Sequence, residues 1–414
     1  MYNRDLDRLT DYPFDRLRAL LGGIEPPAST EPVIMSLGEP QHAPPKMIQE
    51  TVAANADGWG KYPPVAGSKE LLATVSDWLT RRYGLTSLAL DPVSNIVAVN
   101  GTKEALFMAG DICVPRNKNG RRPAVLIPNP FYQVYIGATV LRGAEPVYLS
   151  ATKETGFLPD FENLDAGLLD RTALAFLCTP ANPQGAIADL NYLTRALELA
   201  RKHDFVLAVD ECYAEIYDKI PPPGGLEAAQ SLDQGLDNLL VFHSLSKRSN
   251  APGLRSGFVA GDPRLIKAFR TLRNYGGAAV PLPLLAASAA LWRDDKHADQ
   301  NRIMYRAKFD RADQILRGKF GYYRPEGGFY LWLDVINGED AARRPDRMRR
   351  VRAALRVRRA RRSDDQPRPL LPEPTAGRGA MSACSCLRQM DLLFVSSPSF
   401  CRRCARSTRR PRPA

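Results

Sequence analysis

Short continuous apolar runs alternate with amphipathic stretches along most of the chain. The runs are NIVAVN (95–100), AVLIPN (124–129), EPVYLS (145–150), LAFLCT (174–179), FVLAVD (205–210), LLVFHS (239–244) and SGFVAGD (256–262). Between and around them, apolar residues recur at helical spacing in MIQETVAANA, SKELLATVSDWLTRRYG, TKEALFMAGDIC, LNYLTRALELARKHD and PRLIKAFRTLRNYG. A strand that is apolar at every position is covered on both faces, and strands separated by helices run parallel. The expected fold is therefore α/β: a three-layer, mostly parallel sheet in a large domain.

The two ends of the chain read differently. DYPFDRLRALLGGIEPP predicts a short amphipathic helix on Phe14, Leu17, Leu20 and Leu21, stopped by Gly22-Gly23 and Pro26-Pro27, which forms an arm. Beyond the proline-rich VPLPLLAASAALW, a helix in RIMYRAKFDRADQILRG leads to YYRPEGGFYLWLDV. That last run alternates as a half-buried strand of a smaller α+β domain would. The expected division is an arm with part of the small domain at 1–45, a large domain at 46–290, a partial small domain at 291–342 and a tail at 343–414.

Charge singles out the tail. The chain carries a formal net charge of +12, yet residues 343–414 hold 20 Arg, no Lys and 5 acidic residues. The other 342 residues hold 37 basic and 40 acidic side chains, so the body is an ordinary, slightly acidic protein. Three readings fit the tail: a disordered basic segment, a nucleic-acid arm, or translation in another reading frame. The abrupt exclusion of Lys, which the body uses freely, favours the last, so no nucleic-acid partner is expected. Cys384, Cys386, Cys401 and Cys404 crowd the same tail; CRRC offers two ligands of the four that a structural metal needs, and no metal is expected. No secretory signal or membrane span is apparent, so a cytoplasmic protein is expected.

Ligands of open α/β sheets sit beyond the carboxyl ends of the strands, and several runs end there in polar residues. Asn100 is followed by Gly101-Thr102-Lys103 and a helix, whose free N–H groups suit a phosphate. Tyr132 places an aromatic ring at the rim. Asn182, in PANPQG, can bond a ligand or cap its own turn. Asp210 ends a buried strand and requires a cationic partner. Lys247 follows another buried strand, where desolvation makes an amine nucleophilic and able to form a Schiff base. Ser244, Ser246 and Arg255 around it suit a phosphate. A phosphate cradle, a stacking ring, an amide, a buried carboxylate and an imine-forming lysine together match the needs of pyridoxal 5′-phosphate, whose ring nitrogen stays protonated only beside an acid.

The markers SLGEP, YPPVAGSKEL, NGTKEAL, NPFY, NPQG, DECY and SLSKRSNAPGLRSG, over roughly residues 10–335, resemble the fold-type I pyridoxal-phosphate aminotransferases of classes I and II. Within them the arm, the SLGEPQHAPP loop and SKRSNAPGLRSGFVAGD are most similar to the N-succinyldiaminopimelate aminotransferases of lysine biosynthesis. The resemblance implies that Lys247 bonds the cofactor and shuttles a proton. It implies that Asp210 pairs with the ring nitrogen, that Asn182 and Tyr213 bond the phenolic oxygen, and that Tyr132 stacks on the ring. Gly101, Thr102, Lys103, Ser244, Ser246 and Arg255 would hold the phosphate, and Gly38 and Asn182 would meet the substrate. Tyr62 would reach the phosphate of a neighbouring subunit, which implies a homodimer with shared active sites. Small amino and keto acids, glutamate among them, would be the substrates.

One element of the family's pattern has no counterpart. An arginine that clamps the substrate carboxylate is expected after the GGFYLWLDV strand, and VRAALRVRR does not supply it. Three alternatives therefore stay open: an aminotransferase of other substrate range, a lyase using the same cofactor, and a decayed protein that binds the cofactor without catalysis.

Overall fold

The computed structural model describes residues 1–9, 12–22, 38–335 and 380–383. The seven apolar runs form β1 (Ile96–Val99), β2 (Ala124–Asn129), β3 (Glu145–Ser150), β4 (Thr172–Cys178), β5 (Val206–Asp210), β6 (Leu239–Ser244) and β7 (Gly257–Gly261). They pair in one sheet in the order β1-β7-β6-β5-β4-β2-β3. β7 lies antiparallel to both of its neighbours, and the other pairings are parallel. Such continuous apolar strands need cover on both faces, and alternate residues supply it. Ala175, Leu177, Leu207, Val209, Leu239 and Val241 join one core; Leu174, Phe176, Val206, Ala208, Leu240 and Phe242 join the other.

The helices are α1 (Pro13–Leu21), α2 (Met47–Ala54), α3 (Lys69–Tyr83), α4 (Thr102–Cys113), α5 (Gln133–Val140), α6 (Ala166–Leu169), α7 (Leu190–Lys202), α8 (Gly225–Leu232), α9 (Leu245–Arg248), α10 (Pro263–Gly276), α11 (Leu282–Arg293) and α12 (Lys296–Leu316). Their ends follow local chemistry. Ser68 Oγ accepts from the Leu71 amide at the start of α3, and Gly84, at φ +58°, ends it. α3, α7, α8 and α11 cover one face of the sheet, while α4, α5 and α10 cover the other. From Leu282 onward the stretch VPLPLLAASAALW is a helix and not merely proline-rich chain. Pro283 falls in the first turn of α11, where no intrahelical N–H is required.

The chain divides into two compact units: 1–10, 39–306 and 325–329 form the first, and 11–38, 307–324 and 330–414 the second. In the second unit β8 (Trp332–Val335) pairs antiparallel with β9 (Ala380–Ala383). Tyr330–Leu333 is buried at every position, not alternately, and Leu331 and Leu333 close over Phe309, Ala312 and Leu316. Among the described residues no helix is long and apolar enough to cross a membrane. The rest of the Arg-rich tail, and with it the expected place of a carboxylate-clamping arginine, lies outside the described residues.

Candidate active site

The carboxyl edge of the sheet in the first unit gathers most of the singled-out residues. β5 ends in two successive buried carboxylates. Glu211 is fully paired: its Oε2 lies 2.7 Å from His243 Nε2 and accepts from Tyr83 Oη at 2.6 Å, and its Oε1 accepts from the Gly225 amide at 2.7 Å. Burial would push this carboxyl up, but His243, Tyr83 and the Gly225 amide hold it below the usual value. Asp210, only 4 % exposed, has no cationic side chain at ion-pair distance among the described residues. Its Oδ2 accepts from Tyr135 Oη at 2.9 Å and its Oδ1 from the Cys212 amide at 3.3 Å. Burial raises its carboxyl above the usual range, and the hydrogen bonds from Cys212 and Tyr135 offset only part of that.

Lys247 sits on α9, the single turn that follows β6, and is partly buried. Its Nζ lies 5.1 Å from the centre of the Phe329 ring. The next residue anchors the turn. Arg248, 1 % exposed, lies over Trp78 and Trp292 and donates to Leu291 O at 2.7 Å and Asp295 Oδ1 at 2.6 Å. Asn301 Nδ2 donates to Lys247 O at 3.1 Å. The backbone beneath the amine is thereby fixed from two sides.

A second cluster lies beside it. Because β7 runs against its neighbours, its first residue, Gly257, is in register with Ser244 and Val99. Arg255, just before it, is left-handed (φ +52°) and donates to Asn100 O and Pro252 O, both at 2.9 Å. A Cβ on Gly101 (φ +80°) would stand 2.9 Å from the Arg255 guanidinium carbon, so glycine is what permits this approach. Thr102 opens α4, and its Oγ1 is 2.9 Å from Cys212 Sγ. Lys103 follows it, exposed. The Ser246 amide donates to Ser244 Oγ at 3.1 Å, and the two hydroxyls are 2.9 Å apart. An exposed guanidinium, an ammonium, two hydroxyls and a helix N-terminus make this end anion-seeking.

Between the clusters, Asn182 Nδ2 donates to Tyr213 Oη at 3.3 Å, and Tyr213 meets Phe329 edge-on at 5.5 Å. Tyr132, half-buried, caps α5 and meets Tyr135 edge-on at 5.9 Å. The aminotransferase class I and II family profile matches residues 30–355. This chain belongs to that family. It is 30% identical over 353 residues to an LL-diaminopimelate aminotransferase of Dehalococcoides mccartyi, covering 82% of this chain and 86% of that one. It is 33% identical over 301 residues to the 4-dedimethylamino-4-oxo-anhydrotetracycline transaminase OxyQ of Streptomyces rimosus, covering 72% and 78%. The crystal structure of an aminotransferase from Neisseria meningitidis superposes with a TM-score of 0.77 at 41% identity, covering 83% of this chain and 86% of that one.

The chain is thus an aminotransferase dependent on pyridoxal phosphate, acting on small amino and keto acids. Its own residues fit that cofactor in two ways. Asp210 is a buried carboxylate with no cation at ion-pair distance among the described residues, which a protonated ring nitrogen would satisfy. Asn182 Oδ1 is buried with no hydrogen-bond partner among the described residues, and the same amide's Nδ2 reaches Tyr213 Oη.

Phe329, Tyr135 and Cys212 are site residues that the sequence reading did not single out. Cys212, within DECY, was in view but carried no motif meaning; Tyr135 and Phe329 reach the site only through tertiary approach. Of the other expected participants, Tyr62 is 103 % exposed and Gly38 belongs to the second unit.

Proposed function

We propose that the aminotransferase of this chain moves an amino group between glutamate and a keto acid of the diaminopimelate type, with the N-succinyl form as substrate. The observation that carries the cofactor chemistry is the buried Asp210, with no cation at ion-pair distance among the described residues, on the strand next to the one that leads to Lys247. When bound, pyridoxal phosphate supplies an electron sink for the pair of electrons left at the substrate α-carbon. Asp210 keeps the ring nitrogen protonated, and Asn182 with Tyr213 bonds the phenolic oxygen. Tyr132 covers the ring face. Gly101, Thr102, Lys103, Ser244, Ser246 and Arg255 bind the phosphate through amides, hydroxyls and charge. Lys247 would supply the amine that holds the cofactor and would move the proton at the substrate α-carbon. Phe329 and the anchored α9 turn hold that amine in place.

In this reading Gly38 and Asn182 contact the substrate, and the exposed Tyr62 serves the phosphate of a second copy in a homodimer. The motifs around Lys247 support the N-succinyl substrate. The similarity to the LL-diaminopimelate aminotransferase of Dehalococcoides mccartyi supports a second reading, unmodified LL-diaminopimelate. A structure named for a probable N-succinyldiaminopimelate aminotransferase of Thermus thermophilus, at 23% identity and TM-score 0.68, shares the fold.

The test is the visible spectrum of the purified chain loaded with cofactor. L-glutamate should bleach the yellow band, and the keto acid acceptor should restore it; Lys247→Ala should give neither change. Restoration by the keto form of N-succinyldiaminopimelate but not of free diaminopimelate selects the first substrate, and the converse selects the second. A band indifferent to glutamate overturns the amino donor.

A further inference from the structure

Tyr135 lies at the crossing of three elements. Its ring, 1 % exposed, stacks on Phe176 of β4 with centroids 4.4 Å apart and planes 13° from parallel. Its hydroxyl donates to Asp210 Oδ2 at 2.9 Å, and its edge meets Tyr132 at 5.9 Å and 84°. Its carbonyl accepts from Thr139 Oγ1 at 2.7 Å within α5. Rotation of the ring would break the Phe176 stack, so the hydroxyl is aimed rather than merely near.

We propose that Tyr135 is a positioning residue of the reaction: its hydroxyl orients the Asp210 carboxylate toward the cofactor's ring nitrogen, and its ring backs the stacking face of Tyr132. This rests on the reading of Asp210 given above and adds a residue to it. The groups facing Asp210 are few: Tyr135 from α5, Cys178 from β4, the Cys212 thiol and amide, and His243 from β6, which is engaged by Glu211. Burial pushes the Tyr135 phenol and both thiols up, so all three stay protonated at neutral pH. A phenol that stays protonated donates to the carboxylate throughout the working range, and a hydrogen bond to the ionised form favours that form. Tyr135 thereby holds Asp210 ready as an anion before the cofactor arrives and fixes which oxygen faces it.

The experiment is a double-mutant cycle on the full chain with Tyr135→Phe, Asp210→Asn and both together. It is read by tryptophan-fluorescence titration with pyridoxal phosphate and by pH titration of the bound chromophore's absorbance. Loss of one hydrogen bond to a charged group should weaken cofactor binding about tenfold in Tyr135→Phe. The absorbance midpoint should shift as well, which a merely structural role would not cause. In the Asp210→Asn background Tyr135→Phe should change neither quantity. Wild-type affinity and midpoint in Tyr135→Phe overturn the proposal, as does an equal loss in both backgrounds. Wild-type affinity in Asp210→Asn alone overturns instead the assignment of Asp210. Phe176→Leu frees the ring without removing the hydroxyl and replaces Tyr135→Phe if that variant does not fold. A midpoint shift of the same sense then supports the proposal, and an unchanged midpoint overturns it.

Discussion

Asp210 and Glu211 are neighbours in sequence, equally buried, and opposite in circumstance. Glu211 finds His243, Tyr83 and the Gly225 amide, and its charge is settled within the fold. Asp210 finds hydrogen bonds from Tyr135 and Cys212 and, among the described residues, no cation at ion-pair distance. A buried charge matched by the chain itself holds the structure together; one left unmatched marks where something from outside must bind. The pair thus separates a supporting half of the strand end from a working half.

The largest break in that comparison is expected from Glu211→Ala, which strands His243 and the Gly225 amide and should cost about 3–5 kcal/mol by denaturant unfolding. The remaining folded protein should still bind cofactor. Asp210→Asn should do the reverse. Cofactor affinity should fall about a hundredfold as the ring nitrogen loses its partner, while the cofactor-free protein gains about 1 kcal/mol from losing an unpaired buried charge. A destabilised cofactor-free Asp210→Asn protein would contradict the contrast. At the phosphate end, Gly101→Ala should weaken cofactor binding about tenfold through backbone strain and displacement of Arg255. The absorbance pH titration should stay in place, because Asp210 is untouched.

The smallest effect is a pH dependence. The Asp210 carboxyl is raised in the folded state, so over the interval above its ordinary value the folded form binds more protons than the unfolded form. Its contribution therefore becomes more destabilising as pH rises through that interval. Glu211 is lowered, so its contribution is present above the ordinary glutamate value and is lost as pH falls through its folded value. The stability advantage of cofactor-free Asp210→Asn over wild type should accordingly grow as pH rises from acid towards neutral. Unfolding midpoints measured across that range check it, and a flat difference would contradict it.

Much of this was legible in the chain. The seven sheet strands declared themselves because burial on both faces left each run apolar at every position. The site was legible where chemistry is local: Lys247 after its Ser-Leu-Ser, Asp210 at a strand end, and Gly101-Thr102-Lys103 before a helix. α5 was not recognised, since QVYIGATV is apolar nearly all round and offers no helical stripe. α11 was hidden by prolines that belong to its first turn. Tyr135 and Phe329 were invisible for a different reason: each gains its meaning from residues far along the chain, Asp210 and Lys247, and no local spacing records such a meeting.

The reversal of β7 has one more consequence. Since Ser244 and Gly257 are register partners, everything from Leu245 to Ser256 is the tip of a hairpin, closed at its base by ladder hydrogen bonds. The amine and the guanidinium therefore ride on one short loop rather than on strands brought together from distant parts of the chain. Closing such a loop carries a small entropic cost. The two groups thus share one loop, which contacts from Asn100, Leu291, Asp295 and Asn301, far along the chain, then hold in place.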